Sequence, residues 1–291
     1  MEMSVNLVGG VRMPLIGVGT WQIRDGEVIR SVLDAALDCG YRLIDTAASY
    51  GNEAAIGDAL HTLLPKHGLR REDVFITSKL QTTDQGQGAA YQAALRSLAK
   101  LRTDYLDLFL IHFPGVSGLQ SSDPRVAQLR AGSWMDLEKL KTDGKVRAIG
   151  VSNYLIRHLD ELRGLASMWP PAVNQCEYHP HHRPAALVEY CRENGIHFQA
   201  YTSLGGVRDK EKLASEPVVQ QLAAKYSCSV AQLLLAWALN QGISVLPKTT
   251  NPDHVRSNYK ALDMVIEPGD MSRLSALSVS NKYCWDPEVV P

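Results

Sequence analysis

Eight short apolar runs recur along the chain with segments of helical period between them, and few architectures satisfy such an alternation. The runs are Ile16 to Gly19, Tyr41 to Asp45, Val74 to Lys79, Leu106 to His112, Val146 to Val151, Ala172 to Gln175, His197 to Tyr201 and Ile243 to Leu246. They are continuously apolar rather than alternating, as parallel strands covered on both faces are. Between them, "GEVIRSVLDAALDCG" sets apolar residues at 28, 29, 32, 33, 36 and 37, a helical stripe, with Gly40 placed to cap it. "AAYQAALRSLAKL" and "WMDLEKLKTDGK" have the same character. Within 291 residues this pattern predicts an α/β chain folded as a (β/α)8 TIM barrel, one domain over residues 1–291. "SVNLVGGVRMP" predicts a short N-terminal hairpin turning at Gly9-Gly10 and covering the barrel bottom. Residues 114–133 read as a long irregular loop at the functional end.

Composition narrows the possible partners. A formal net charge of -1, with 21% charged residues and no basic block, gives no electrostatic footprint for nucleic acid or an anionic membrane. The five cysteines are scattered and never in C-x-x-C spacing, which argues against a disulfide framework or zinc ribbon and for a reducing cytoplasm. "MEMSVNLVGG" carries no signal-peptide pattern, and "DPEVVP" carries no prenylation or peroxisomal signal. The most apolar run, "LLLAWAL", is too short to span a bilayer and reads as a core helix.

In a barrel of this kind the C-terminal ends of the strands face one site. Those ends carry Asp45, Lys79 and His112, and Tyr50 lies just beyond Asp45. Singly, each has an ordinary explanation: a cap, a surface charge, a core histidine, a half-buried aromatic. Together at neighbouring strand tips they do not, because a buried amine and acid are costly unless they pair or serve a reaction. Two other patterns lead nowhere. "GVGTWQ" starts like a dinucleotide fingerprint but has Gln22 in place of the third glycine. "YHPHHRP" groups His179, His181 and His182 without a fourth ligand at a convincing spacing, so no metal is expected.

"GVGTW", "YRLIDTAASYGNE", "ITSKL", "DLFLIHFP", "GKVRAIGVSNY", "NQCEYHP", "YTSLGG", "LPKTTNP" and "YCWDPE" stand in the order and spacing of the aldo-keto reductase family, which the chain resembles over nearly its whole length. Its short C-terminus resembles the compact branch that includes prostaglandin F synthase-like and diketogluconate reductase-like enzymes. The resemblance implies an NADPH-dependent reductase of aldehydes and ketones, monomeric by the family's default, with Asp45, Tyr50, Lys79 and His112 as catalytic tetrad. Tyr50 would donate the proton, Lys79 would lower the phenol's pKa, Asp45 would orient the ammonium, and His112 would point an N–H at the substrate oxygen.

On the cofactor side the resemblance implies that Ser152, Asn153 and Gln175 hold the nicotinamide carboxamide and that Tyr201 stacks on the ring. Ser203 and Leu204 begin the turn that meets the pyrophosphate. Gly19, Thr20 and Asp45 also face the cofactor, while Lys248, Thr249, Thr250, His254 and Asn258 serve the 2′-phosphate and adenine end. His254 stands where the family commonly has arginine, which would weaken the preference for NADPH over NADH. Trp21, Ser49, Tyr50, His112, Phe113, Tyr283 and Trp285 would line the substrate pocket, with Phe113 where tryptophan is frequent. The rival from another class is a cofactor-sensing regulatory protein without turnover, which an intact tetrad disfavours.

Overall fold

The computed structural model describes residues 4–206, 210–277 and 281–291. The chain opens with an antiparallel hairpin of β1 (Ser4–Asn6) and β2 (Arg12–Pro14), which pairs Val5 with Met13. The turn between them uses Gly9 and Gly10, both at positive φ, as the sequence predicts.

Eight parallel strands follow: β3 (Val18–Gly19), β4 (Leu43–Asp45), β5 (Phe75–Leu80), β6 (Leu106–Ile111), β7 (Val146–Ser152), β8 (Val173–Glu177), β9 (His197–Tyr201) and β10 (Ser244–Val245). They pair in sequence order from β3 to β10. The ring closes where Ile16 bridges Val245: Gly17 N–H donates to Val245 O at 2.9 Å, and Gly19 N–H to Pro247 O at 3.0 Å. The expected strand limits differ from these by at most two residues.

Helices α1 (Gly26–Cys39), α2 (Glu53–Lys66), α3 (Ala89–Leu101), α4 (Arg125–Thr142), α5 (Ile156–Leu165), α6 (Ala185–Glu193), α7 (Lys210–Ala214), α8 (Pro217–Lys225), α9 (Val230–Leu239), α10 (Pro252–Tyr259) and α11 (Pro268–Ser275) complete the described fold. Helix α1 starts where the Asp25 carboxylate accepts from the N–H groups of Glu27 and Val28, and stops at Gly40 in the left-handed region. "LLLAWAL" forms the buried face of α9. Among the described residues no single helix is long and apolar enough to cross a membrane.

The alternation of side chains along each strand builds two cores. In β6, Phe109 and Ile111 pack outward under the helices, while Leu108 and Leu110 point into the barrel with Leu43, Phe75, Val173 and Leu246. Leu7, Val11 and Met13 of the hairpin join the inner set, so the hairpin covers that end with apolar side chains.

One expectation is overturned. Residues 125–133 are not loop but the first half of α4. Their apolar stripe is broken because this half packs on the chain at 86–87 through small and polar groups. A side chain at Gly132 would stand 2.7 Å from Gln87 N, and Ser133 Oγ accepts from Gly86 N at 2.8 Å. Buried Arg130 reaches Glu161 and Pro114 O.

Candidate active site

β4 ends on Asp45 because an amine waits there. Lys79, one residue from the end of β5, is fully buried at 0% exposure, and its Nζ donates to Asp45 Oδ1 at 2.6 Å and Thr46 O at 3.0 Å. After Asp45 the chain makes one tight turn, Ala48–Tyr50, with Tyr50 N–H donating to Ala47 O, and Gly51 at φ 71° ends it. That turn swings the Tyr50 phenol back until its Oη lies 3.3 Å from Lys79 Nζ. His112 follows β6 directly. Its ring stands edge-on to Tyr50 with centroids 5.6 Å apart, and its Nδ1 meets Ser49 Oγ at 3.3 Å. An acid, an amine, a phenol and an imidazole from three consecutive strand ends thus share one mouth.

The electrostatics correct one expectation. Burial pushes the Tyr50 phenol above the ordinary tyrosine value; Lys79 pulls it back down and Asp45 pushes it up again, leaving it raised. Lys79 does act downward, as expected, but burial outweighs it and Asp45, 2.6 Å from the ammonium, adds to the upward side, so no net lowering results. Burial also works against the charge on Lys79, but Asp45 and Tyr50 outweigh it and its pKa lies above the lysine norm. Burial, helped by the Lys79 charge, holds His112 well below the usual histidine value, so the ring is neutral near pH 7.

Around this group the other expected residues fall into two sets. Ser152, Asn153, Gln175 and Tyr201 form a hydrogen-bonded floor. Ser152 Oγ donates to Gln175 O at 2.7 Å, Asn153 Nδ2 to His112 O at 2.9 Å, and Tyr201 Oη to Asn153 Oδ1 at 2.6 Å. Asn153 sits at φ 64° and Thr202 at φ 57°, unusual backbone gathered at the mouth. Thr20 Oγ1 donates to Asp45 O at 2.9 Å. The second set lies along the rim. Ser203 is buried, and its Oγ is without a hydrogen-bond partner among the described residues, beside a turn in which Gly205 has φ 89°. Half-buried Lys248 and Thr249 follow β10; a side chain at Gly19 would come within 3.5 Å of Lys248 Cβ. His254 is exposed in the first turn of α10, Thr250 is exposed before it, and Asn258 is buried. Ser203 fits the pyrophosphate of a bound dinucleotide: a buried hydroxyl without a hydrogen-bond partner among the described residues can donate to an anionic ligand.

The aromatic residues divide. Trp285 stands edge-on to His112 at 5.9 Å and to Phe113 at 6.3 Å. Trp21, 39% exposed, directly follows Thr20. Tyr283 turns elsewhere: its ring stacks on His179 at 4.7 Å and its hydroxyl meets His181 Nδ1 at 2.7 Å, so it does not join Tyr50 and His112.

Sequence reading missed two buried polar groups. Gln175 Nε2 donates to Asp45 Oδ2 at 2.8 Å and to Gln199 Oε1 at 2.8 Å, so Gln199 fixes the amide that steadies the acid. A glutamine inside an apolar strand was the available signal. Glu177 ends β8 as Asp45 ends β4, and the shorter limit expected for that strand, Gln175, hid it. Burial pushes Glu177 up, but His179, the Tyr283 N–H and Lys282 together hold it below the ordinary glutamate value, while burial lowers His179. Among the described residues no group of three or more His, Cys, Asp or Glu side chains is arranged to hold a metal.

A (β/α)8 barrel with this mouth defines an oxidoreductase class, and residues 15–279 match the aldo/keto reductase family, to which the chain belongs. It is 37% identical over 288 residues to the uncharacterized oxidoreductase YtbE of Bacillus subtilis (strain 168), covering 99% of this chain and 97% of that protein. It is 37% identical over 287 residues to the glyoxal reductase of the same organism, covering 98% and 96%. The crystal structure of MGS-M4, an aldo-keto reductase enzyme from a Medee basin deep-sea metagenome library, superimposes with a TM-score of 0.89 at 32% identity, covering 99% of this chain and 100% of that one. Members of the family are in general oxidoreductases that act on carbonyl compounds with nicotinamide cofactors.

Proposed function

We propose that this chain is an NADPH-dependent reductase that converts aldehydes and ketones to alcohols, with Tyr50 as general acid, and that residues 1–291 work as one catalytic domain. What supports this most directly is the convergence of Asp45, Tyr50 and Thr46 O on one fully buried ammonium, Lys79 Nζ. The nicotinamide, when bound, supplies the hydride. Tyr50 supplies the proton: its raised pKa keeps the phenol protonated near neutrality, and Lys79 at 3.3 Å stabilises the phenolate left after transfer. Asp45 holds that ammonium, and Gln175 holds Asp45. Neutral His112 would act in the tautomer in which Nδ1 accepts from Ser49 Oγ, 3.3 Å away, and Nε2 carries the proton offered to the substrate oxygen.

Ser152, Asn153 and the side-chain Oε1 of Gln175 would hold the carboxamide, and Tyr201, tied to Asn153, would back the ring. Ser203, Leu204 and the following glycines would meet the pyrophosphate. Lys248, Thr249, Thr250, His254 and Asn258, with Gly19 and Thr20 opposite, would hold the remainder. The fixed ammonium of Lys248 favours NADPH over NADH. Five free cysteines fit a reducing cytoplasm.

The test is Tyr50→Phe, assayed by NADPH absorbance with a reactive aromatic aldehyde and by NADPH binding. The general acid is worth roughly 10²–10⁴ in rate, so kcat should collapse while cofactor affinity stays near wild type. Turnover above about a tenth of wild type would overturn the assignment.

A further inference from the structure

The histidine-rich stretch at 178–184 and the acid before it take no part in the chemistry above, yet Glu177, His179 and His181 are deeply buried, at 1%, 0% and 3% exposure. Glu177 Oε1 accepts from Tyr283 N at 2.5 Å and His179 Nε2 at 2.9 Å. Its Oε2 accepts from Cys284 N at 3.0 Å, with Lys282 Nζ 3.6 Å away. The His181 carbonyl accepts from Asn281 N at 3.0 Å, and its ring bridges Tyr283 Oη at 2.7 Å to Glu216 Oε1 at 2.8 Å. A side chain at Gly206 would stand 2.7 Å from Tyr283 Cβ, so the segment is also seated on the rim. The next residue is Trp285, 56% exposed and edge-on to His112 and Phe113.

We propose that Glu177 and His181 are positioning residues for substrate selection: they dock residues 281–284 on the barrel rim and so hold Trp285 as the pocket wall beside His112. This rests on the reductase reading given above. A carboxylate that accepts two successive backbone N–H groups, one on each oxygen, fixes the direction in which the chain leaves position 284. A carboxamide cannot copy this, because its NH₂ would oppose one of those N–H groups. Glu177→Gln is therefore a near-isosteric way to loosen the clamp. Trp285 and Phe113 present apolar rings, so the substrates that sense the clamp are aromatic or extended apolar aldehydes. A short aliphatic aldehyde offers Trp285 far less apolar surface.

The experiment compares wild type, Glu177→Gln, Trp285→Ala and the double variant on 4-nitrobenzaldehyde and on propanal. NADPH binding is measured beside the ¹⁹F spectrum of cofactor-free protein labelled with 5-fluorotryptophan, in which Trp285→Ala identifies the Trp285 resonance. Glu177→Gln should raise KM for the aromatic aldehyde by about tenfold, leaving its kcat, the propanal constants and NADPH affinity within about twofold. It should also move the Trp285 resonance, and the double variant should match Trp285→Ala alone. Unchanged KM with an unmoved resonance overturns the proposal, as does full additivity in the double variant or an equal loss on both aldehydes. His181→Phe, which cuts the Tyr283 and Glu216 contacts, is the second variant should Glu177→Gln fold poorly, and it is held to the same outcomes. Should Tyr50→Phe retain turnover, the reductase reading fails, but the fluorine spectrum still decides whether Glu177 holds Trp285.

Discussion

Replacing Lys79 by methionine keeps an unbranched chain of similar length and deletes the charge. In the native site the ammonium is 0% exposed and bound by Asp45, Thr46 O and Tyr50 at 2.6, 3.0 and 3.3 Å. Among the described residues its removal leaves the Asp45 carboxylate buried with the Gln175 amide as its remaining side-chain partner, and breaking such a pair costs about 3–5 kcal/mol. Neutralising both partners should recover most of that loss, so Asp45→Asn/Lys79→Met should be less destabilised than the two single changes add up to. Because the folded pKa of Lys79 is raised above 10.5, its contribution is fully present below that value and is lost only as pH rises through the folded value. The gap between wild type and Lys79→Met should therefore be the same at about pH 7 and about pH 9 in urea denaturation. A gap below about 1 kcal/mol, or additivity in the double variant, would refute the pairing. The single variant should also lose more kcat than any His112 variant, since the phenolate would form without a counter-ion.

His254→Arg should tighten NADPH by roughly 1–2 kcal/mol and leave NADH almost unchanged, measured by titration of both cofactors. Burial pushes His158, His182 and His197 down to about 4, so each contributes stability that is present above pH 6.5 and lost as pH falls toward 4. Urea midpoints should record losses of up to about 2 kcal/mol each for His158 and His197 by about pH 5, and less for part-exposed His182, where solvent screens the shift; a stability flat between about pH 7 and 5 would contradict this. Leu7→Ala, in the hairpin that covers the far end of the barrel, should cost about 2–5 kcal/mol in thermal or urea unfolding while kcat/KM stays near wild type.

The barrel was legible because its strands are apolar on both faces and its helices carry a stripe; the two periods do not mimic each other. Asp45, Lys79 and His112 were legible for a related reason, being polar groups at the ends of such runs. The start of α4 was not, because Gly132, Ser133 and Arg130 meet partners that only folding supplies. The direction of the Tyr50 shift was hidden too: sequence shows that Lys79 is near, but not how far burial and Asp45 offset it. Tyr283 looked like a pocket residue because it neighbours Trp285, yet in this segment Cys284 turns the chain between them.

The ring's closing joint is also its thinnest. β3 and β10 have two residues each and meet through a single bridge at Ile16 and Val245, whereas β5 and β6 pair over four residues. Glycine is required there: a side chain at Gly17 would stand 2.5 Å from Leu43 Cγ, and one at Gly19 would stand 2.8 Å from Leu246 O. Amide protons at Gly17, Gly19 and Val245 should therefore exchange with deuterium sooner than those of β5 and β6, reporting a gap that opens without unfolding the rest. Thr20 follows one lip of that gap and Lys248 the other, so an occupant that touches both would fasten the hoop and slow exchange at those amides more than anywhere else in the sheet.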